Sequence, residues 1–313
     1  MPAFTATAPG KIILFGEHAV VYHRPAVAVP VNQVQARAVV LPDPRAPRGR
    51  VWIQAPDIQV DSPLDELPES APLARLVHIF LEHFSIDHLP ACTLRVSSTI
   101  PIAAGMGSGA AISVACLRAL AAFIGSSLPP EQVSALAFEI EKMYHGTPSG
   151  IDNTVVTFGQ PVFFVRDQPI EILSLDKPFM LVIGDTGVRS PTSGPVEAVR
   201  RAWKADPGRY EALFDQAGEI ARSARNLLES GDPARLGSLM NANQQLLVEM
   251  GVSSPELDHL VQAAQDAGAL GAKLSGAGWG GNMIALVDPG RAEQVSAALH
   301  QHGAVNTLIT RVG

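Results

Sequence analysis

Apolar side chains at Val133, Leu136, Ala137, Ile140 and Tyr144 follow at i, i+3, i+4, i+7 and i+11, the spacing of a helix that lays one stripe on a core. Gly146 and Pro148 predict its end. Ser149 then reads as the N-cap of a second helix, with Asp152 three residues on, so that the Asp152 carboxylate falls in a first turn near the positive end of the helix dipole. Elsewhere APLARLVHIFLEHF is amphipathic and helical, and ACTLRVSSTIP alternates like a strand. TATAPGKIILFGEHAVV predicts two short strands joined at Pro9-Gly10, and PAVAVPVNQVQARAVVL continues as an apolar extended run. Residues 42–70, rich in proline, aspartate and arginine, predict loops around a short strand from Arg50 to Gln54. In the second half FMLVIGDTGVRSPT is strand-like, and helices are predicted over Tyr210 to Leu228, Pro233 to Leu247 and Pro255 to Ala267. The last buries Leu257, Leu260, Val261 and Ala264. The fold class is therefore α+β.

Two glycine-rich loops interrupt this pattern. In PIAAGMGSGAAISVACLRALAAFIG, Gly105, Gly107 and Gly109 allow close backbone approach, and Ser108 to Ala111 open a long helix with unpaired N–H groups, a start suited to phosphate. In KLSGAGWGGNMIALV, Gly276, Gly278 and Gly281 match G-x-G-x-x-G literally, but the following NMIALV reads as a strand where a dinucleotide fingerprint opens a helix. No Walker pattern is present. Each loop alone is equally the pattern of a structural turn, as Ser149-x-x-Asp152 alone is a capping box. Glu141, His145, Gly146 and Pro148 around that box are not required for capping, and the three loops together argue for a phosphate-handling site.

Composition narrows the classes. A formal net charge of -7 with no dense basic run argues against nucleic-acid binding. No window reaches the ~18 uninterrupted apolar residues of a membrane span, and no leader is evident at the N-terminus. The two cysteines, Cys92 in an expected strand and Cys116 in an expected helix, predict no disulfide framework and a reducing cytoplasm. The nine histidines form no zinc-ligand spacing.

APGKIILFGEHAVVYHRPA (8–26), PIAAGMGSGAA (101–111), EKMYHGTPSGIDN (141–153), DTGVRSPT (185–192) and KLSGAGWGGNMIAL (273–286), taken together, resemble the GHMP kinases, and among them the branch that phosphorylates mevalonate. The resemblance spans nearly the whole chain. It implies a two-domain α+β fold, with a ribosomal-protein-S5-like domain over 1–170 and a ferredoxin-like domain over 171–313. It also implies ATP as co-substrate, Mg2+ as cofactor, (R)-mevalonate as acceptor giving (R)-5-phosphomevalonate, and a homodimer.

Carried over by the same resemblance, Asp152 is the proton acceptor for the attacking hydroxyl, and Lys11 contacts both that aspartate and the transferring phosphoryl. Pro101, Ile102, Ala103, Ala104, Gly105, Met106, Gly107, Ser108, Gly109, Ala110 and Ala111 wrap the ATP phosphates, while Ser108 and Glu141 serve the metal. The substrate side takes Glu17, His18, Thr192, Ser275, Gly276 and Ala277 with Lys11 and Asp152. Phosphoryl transfer passes through a loose transition state, so a cation, a metal and an oriented hydroxyl are the chemistry required. A rival kinase acting on another small hydroxylated acid shares these loops. Three departures stand out. Gly109 follows Ser108 where the family has two adjacent serines, Trp279 replaces a glycine and is expected to alter local packing, and His23 stands where many relatives have glycine.

Overall fold

The computed structural model describes residues 2–101, 105–145, 148–189 and 192–313, with the backbone alone at 143–145. It comprises two compact units, each assembled from separated segments: 1–10, 32–101 and 107–159 in the first, and 11–31, 102–106 and 160–313 in the second. Both mix helices with a sheet. Strands β1 (Phe4–Phe15) and β2 (Ala26–Pro42) contribute residues to both units. β1 is one continuous strand, not two. Pro9 and Gly10 do not turn the chain; β1 pairs with β2, and an edge position tolerates a proline that donates no ladder bond.

The rest of the first unit is β3 (Val51–Ala55), β4 (Val60–Pro63), α1 (Pro72–Phe84), β5 (Cys92–Ser98), α2 (Ser108–Phe123), α3 (Pro130–His145) and α4 (Ile151–Phe158). Its strands run in the order β4-β3-β5-β2, with β3 and β5 parallel and the other neighbours antiparallel. Cys92, Leu94 and Val96 alternate inward along β5 and meet α2, whose buried alanines (110, 111, 115, 119 and 121) let it lie close to α3 and α4. Both cysteines are buried and free, and burial pushes each thiol up to about 12, so neither is a reactive thiolate.

The junction from α3 to α4 differs from the expected capping box. The N-cap position belongs to Gly150, at φ +88, and the Ser149 hydroxyl accepts from the Ile151 N–H at 3.4 Å. A left-handed glycine turns the chain into α4 one residue later than Ser149 would. Asp152 remains in the first turn. Its neighbour Asn153 is buried and donates to the Ser134 hydroxyl at 2.8 Å and the Ser134 carbonyl at 3.1 Å, which pins α4 to α3. Gly146 and the His145 side chain, singled out in the sequence, lie outside the described residues.

The second unit continues with β6 (Val162–Phe164), β7 (Glu171–Ile172), β8 (Phe179–Asp185), α5 (Ser193–Ala205), α6 (Pro207–Glu229), α7 (Leu236–Glu249), α8 (Pro255–Asp266), β9 (Gly271–Ser275), β10 (Asn282–Val287), α9 (Ala292–Gln301) and β11 (Asn306–Val312). β6 pairs with Ala26–Ala28 of β2 and with β7. The remaining four strands form an antiparallel sheet ordered β11-β8-β10-β9. α8 and α9 cover it around Leu257, Leu260, Met283, Ala285, Val295 and Leu299. The helix predicted from Pro233 begins instead at Leu236, after a single 3-10 turn over Pro233–Arg235.

β9 is one of the two edge strands, and beside it α7 takes the place of a further strand. Asn241 Oδ1 accepts from the Ala272 N–H at 3.0 Å, and Gln244 Oε1 accepts from the Leu274 N–H at 2.9 Å. The contact is close because both chains are bare there: a Cβ on Gly237 would lie 2.2 Å from the Leu270 carbonyl oxygen, and one on Gly271 would lie 2.1 Å from that of Gly237. No helix among the described residues is long and apolar enough to cross a membrane.

Candidate functional site

In the second unit the chain leaves β1 through Gly16, Glu17 and His18. The Glu17 carbonyl accepts from the Ala19 N–H at 2.6 Å, and His18 between them stands at φ 60, ψ -51. That is a γ-turn with a positive-φ centre, a rare and strained form that persists only where its surroundings impose it. Three side-chain contacts impose it here. Lys273 of β9 donates to Glu17 Oε1, His18 Nε2 meets the Ala277 carbonyl at 2.9 Å, and the Ser275 hydroxyl donates to the Ile13 carbonyl at 2.9 Å. The Lys11 N–H donates to the Met106 carbonyl at 3.0 Å, and Gly105 lies near enough to the third loop that a Cβ on it would meet the Ser275 carbonyl oxygen at 3.9 Å. Within one unit, therefore, Lys11, Glu17 and His18 are brought to Gly105 and Met106 and to Ser275, Gly276 and Ala277.

Burial dominates the electrostatics. Glu17 and Lys273 are 1% and 0% exposed. Burial raises the Glu17 carboxyl above its ordinary range and lowers the Lys273 ammonium, while each partner's charge opposes the shift of the other; Lys11 also acts on Glu17. Glu17 Oε2 has no hydrogen-bond partner among the described residues. His18 is also buried, and desolvation, aided by the Lys273 charge against the Ala277 hydrogen bond, lowers it to about 4. A neutral imidazole at neutral pH has one N–H, which the Ala277 carbonyl requires from Nε2. Nδ1 is then the acceptor.

The third loop is braced on its own unit. Gly278, at φ +90, passes so close to Val252 that a Cβ there would lie 2.0 Å from the Val252 carbonyl oxygen. Trp279 stands at φ 58, a conformation suited to the glycine it replaces. Its backbone N–H donates to the Val252 carbonyl at 2.9 Å, its indole N–H to the Gly251 carbonyl at 2.9 Å, and its ring packs on Gly194 in the first turn of α5. The expected change in packing is this contact. Thr192 is exposed immediately before α5; Ser190 and Pro191 lie outside the described residues.

In the first unit, Ser108 opens α2 after Gly107 at φ 71, an N-cap residue with no side chain to cap the first-turn N–H groups. Ala110 and Ala111 turn their side chains into the core, leaving only backbone to meet a ligand. A Cβ on Gly109 would meet nothing within 4 Å, so the position that lacks the family's second serine is open. Glu141 is buried near the end of α3, and Asp152 is half-buried on α4. Ser108, Glu141 and Asp152 thus come from three mutually packed helices. Pro101 is half-buried, and Ile102, Ala103 and Ala104 lie outside the described residues.

Sequence reasoning missed Lys273. The signal was present: a lone lysine inside the apolar five-residue strand GAKLS that leads into a glycine loop.

Two family models match the chain, "GHMP kinases N terminal domain" over residues 73–160 and "GHMP kinases C terminal" over residues 224–305. Among curated relatives, mevalonate kinase of Pyrococcus horikoshii is 34% identical over 330 aligned residues, covering 98% of this chain and 95% of its own. Mevalonate kinase of Aeropyrum pernix is 35% identical over 301, covering 93% and 91%. Among solved structures, L. major mevalonate kinase in complex with R-mevalonate superposes with a TM-score of 0.84 at 29% identity, covering 100% of this chain and 96% of that one.

Proposed function

The chain belongs to the GHMP kinases and, within them, to the mevalonate kinases, and on that premise we propose that it transfers the γ-phosphoryl group of ATP to the 5-hydroxyl of (R)-mevalonate. The observation that carries the reading is the bonding of the Lys11 strand, the strained His18 turn and the Ser275–Ala277 backbone into one body by buried side chains. Such strain, held by buried polar contacts, marks a site built for a ligand.

The roles follow from charge and position. Asp152, in the first turn of α4, orients the attacking hydroxyl and accepts its proton. Lys11 neutralises charge on the transferring phosphoryl. The first-turn N–H groups of α2 bind nucleotide phosphate. His18, with Nδ1 as acceptor, receives a substrate hydroxyl, and Ser275, Gly276, Ala277 and Thr192 complete the substrate side.

Magnesium is part of the same reading. One buried carboxylate, Glu141, with the hydroxyl of Ser108, fits an ion that takes few protein ligands and keeps waters and nucleotide oxygens. When bound, the ion neutralises charge on the phosphates. A homodimer is carried by the resemblance alone, and a cytoplasmic setting by the two unpaired cysteines.

An ADP-release assay with purified protein against mevalonate, phosphomevalonate, homoserine and galactose tests the substrate; turnover on mevalonate is expected, and its absence with turnover on another acceptor overturns the reading. Asp152→Asn is expected to lower kcat at least about 100-fold with little change in ATP binding. Full kcat in that variant would remove Asp152 from the chemistry. Titrating magnesium at fixed ATP, Glu141→Gln is expected to need far more metal for half-maximal rate, whereas Gly109→Ser is tolerated because the added side chain enters open space. An unchanged requirement in Glu141→Gln would place the metal elsewhere.

A further inference from the structure

We propose that Lys273 is a positioning residue: through its buried ion pair with Glu17 it holds the strained turn at His18, so that the imidazole stands ready for the substrate before the substrate arrives. The proposal rests on the kinase reading above for the identity of that substrate. Lys273 itself, with no exposed surface, touches none.

The geometry leaves Glu17 little other work. Its carboxylate is buried, one oxygen is engaged by Lys273, and the other has no partner among the described residues. Lys273 also donates to the carbonyl of its own neighbour Leu274 at 2.6 Å, which fixes the ammonium against β9. β9 is in turn clamped by Asn241 and Gln244 of α7. The ion pair therefore ties residue 17 to a strand braced by β10 on one side and α7 on the other, one residue before the strained centre. His18 is held on its other side by Ala277, which belongs to the chain leaving that strand. A turn with a positive-φ histidine relaxes unless its flanks are fixed; the Gly16 carbonyl accepts from the Val20 N–H at 3.0 Å across the turn, and the ion pair adds the tie from that flank to β9. An alternative in which Glu17 meets the substrate directly requires a carboxylate oxygen at the surface, and the exposure of the residue, 1%, leaves none.

Removing one member of a buried pair leaves an unpaired charge and threatens folding, whereas replacing both with apolar groups is often tolerated. Two variants therefore serve: Glu17→Leu with Lys273→Met, and the isosteric Glu17→Gln, with folding checked by circular dichroism. KM for mevalonate is expected to rise about tenfold or more in the double variant and severalfold in Glu17→Gln, with KM for ATP within about twofold of the parent. In parallel, the His18 imidazole is followed by NMR against pH without substrate. Its midpoint, about 4 in the parent, is expected in Glu17→Gln to climb toward the ordinary histidine range as the relaxed turn admits water, against the retained Lys273 charge that lowers it; in the double variant the loss of that charge alone raises the midpoint, so Glu17→Gln is the variant that reads the turn. A rise in KM with an unmoved His18 midpoint would make Glu17 a direct substrate ligand and overturn the proposal. So would parental KM and parental midpoint in whichever variant folds. Failure of the parent to phosphorylate mevalonate would instead overturn the kinase reading, and the NMR arm would still decide the role of Lys273.

Discussion

His23 closes the 3-10 turn Ala19–Tyr22 at φ 62, ψ 22, in the left-handed region that disfavours every side chain by about 1–2 kcal/mol. Its imidazole is mostly exposed, 3.6 Å from Asp167, a surface pairing of little worth. His23→Gly removes the strain at a smaller cost in unfolded-chain entropy, so a thermal melt is expected to show a Tm higher by about 1–3 °C. Trp279 shares the conformation but not the outcome. Its indole hydrogen bond and its packing on Gly194 offset the backbone strain, and Trp279→Gly is expected to leave Tm unchanged or lower it. A lower Tm for His23→Gly would mean that Asp167 matters more than the backbone. Both departures from glycine were legible as departures, but their shared cause was not, because φ is not written in a residue's identity. Lys273 was hidden for a related reason: what makes it matter is a partner 256 positions away.

At the level of elements, periodicity located what it can locate. α1, α3, α6 and α8 carry continuous apolar stripes and lie where the pattern places them, and β3, β5, β8 and β10 likewise. α5 did not announce itself, since only Pro195 and Val199 of its residues are buried and a helix lying on the surface leaves no stripe to read. β1 was read as two strands because Pro-Gly is a turn signal locally, and pairing with β2 overrides it. The contact of α7 with β9 was equally invisible, resting on two glycines far apart in sequence. An alanine in a helix interior is ordinarily favourable by ~1 kcal/mol over glycine. At Gly237 the methyl would press into the Leu270 carbonyl, and the expected result is a net loss of about 1–3 kcal/mol, read as a lower urea midpoint with unchanged slope. A stabilised Gly237→Ala would show that α7 stands off the strand.

For the whole molecule, the two units interleave along the chain, so that the segment 11–31 belongs with residues from 160 onward rather than with its neighbours in sequence. The motifs were recognisable one by one, while their grouping was not: Ile13 of β1 and His18 of the GEHAVV segment join the last glycine loop through bonds between residues more than two hundred positions apart. One consequence reaches beyond the site. A strand at the rim of a sheet, ending in a glycine loop, is ordinarily a template on which another copy of a chain can add itself and begin an aggregate. Here the outward N–H groups of Ala272 and Leu274 are taken by amide side chains that cannot be displaced without lifting a helix. The strand that carries the third loop is thereby closed to strand addition at its own rim of the sheet.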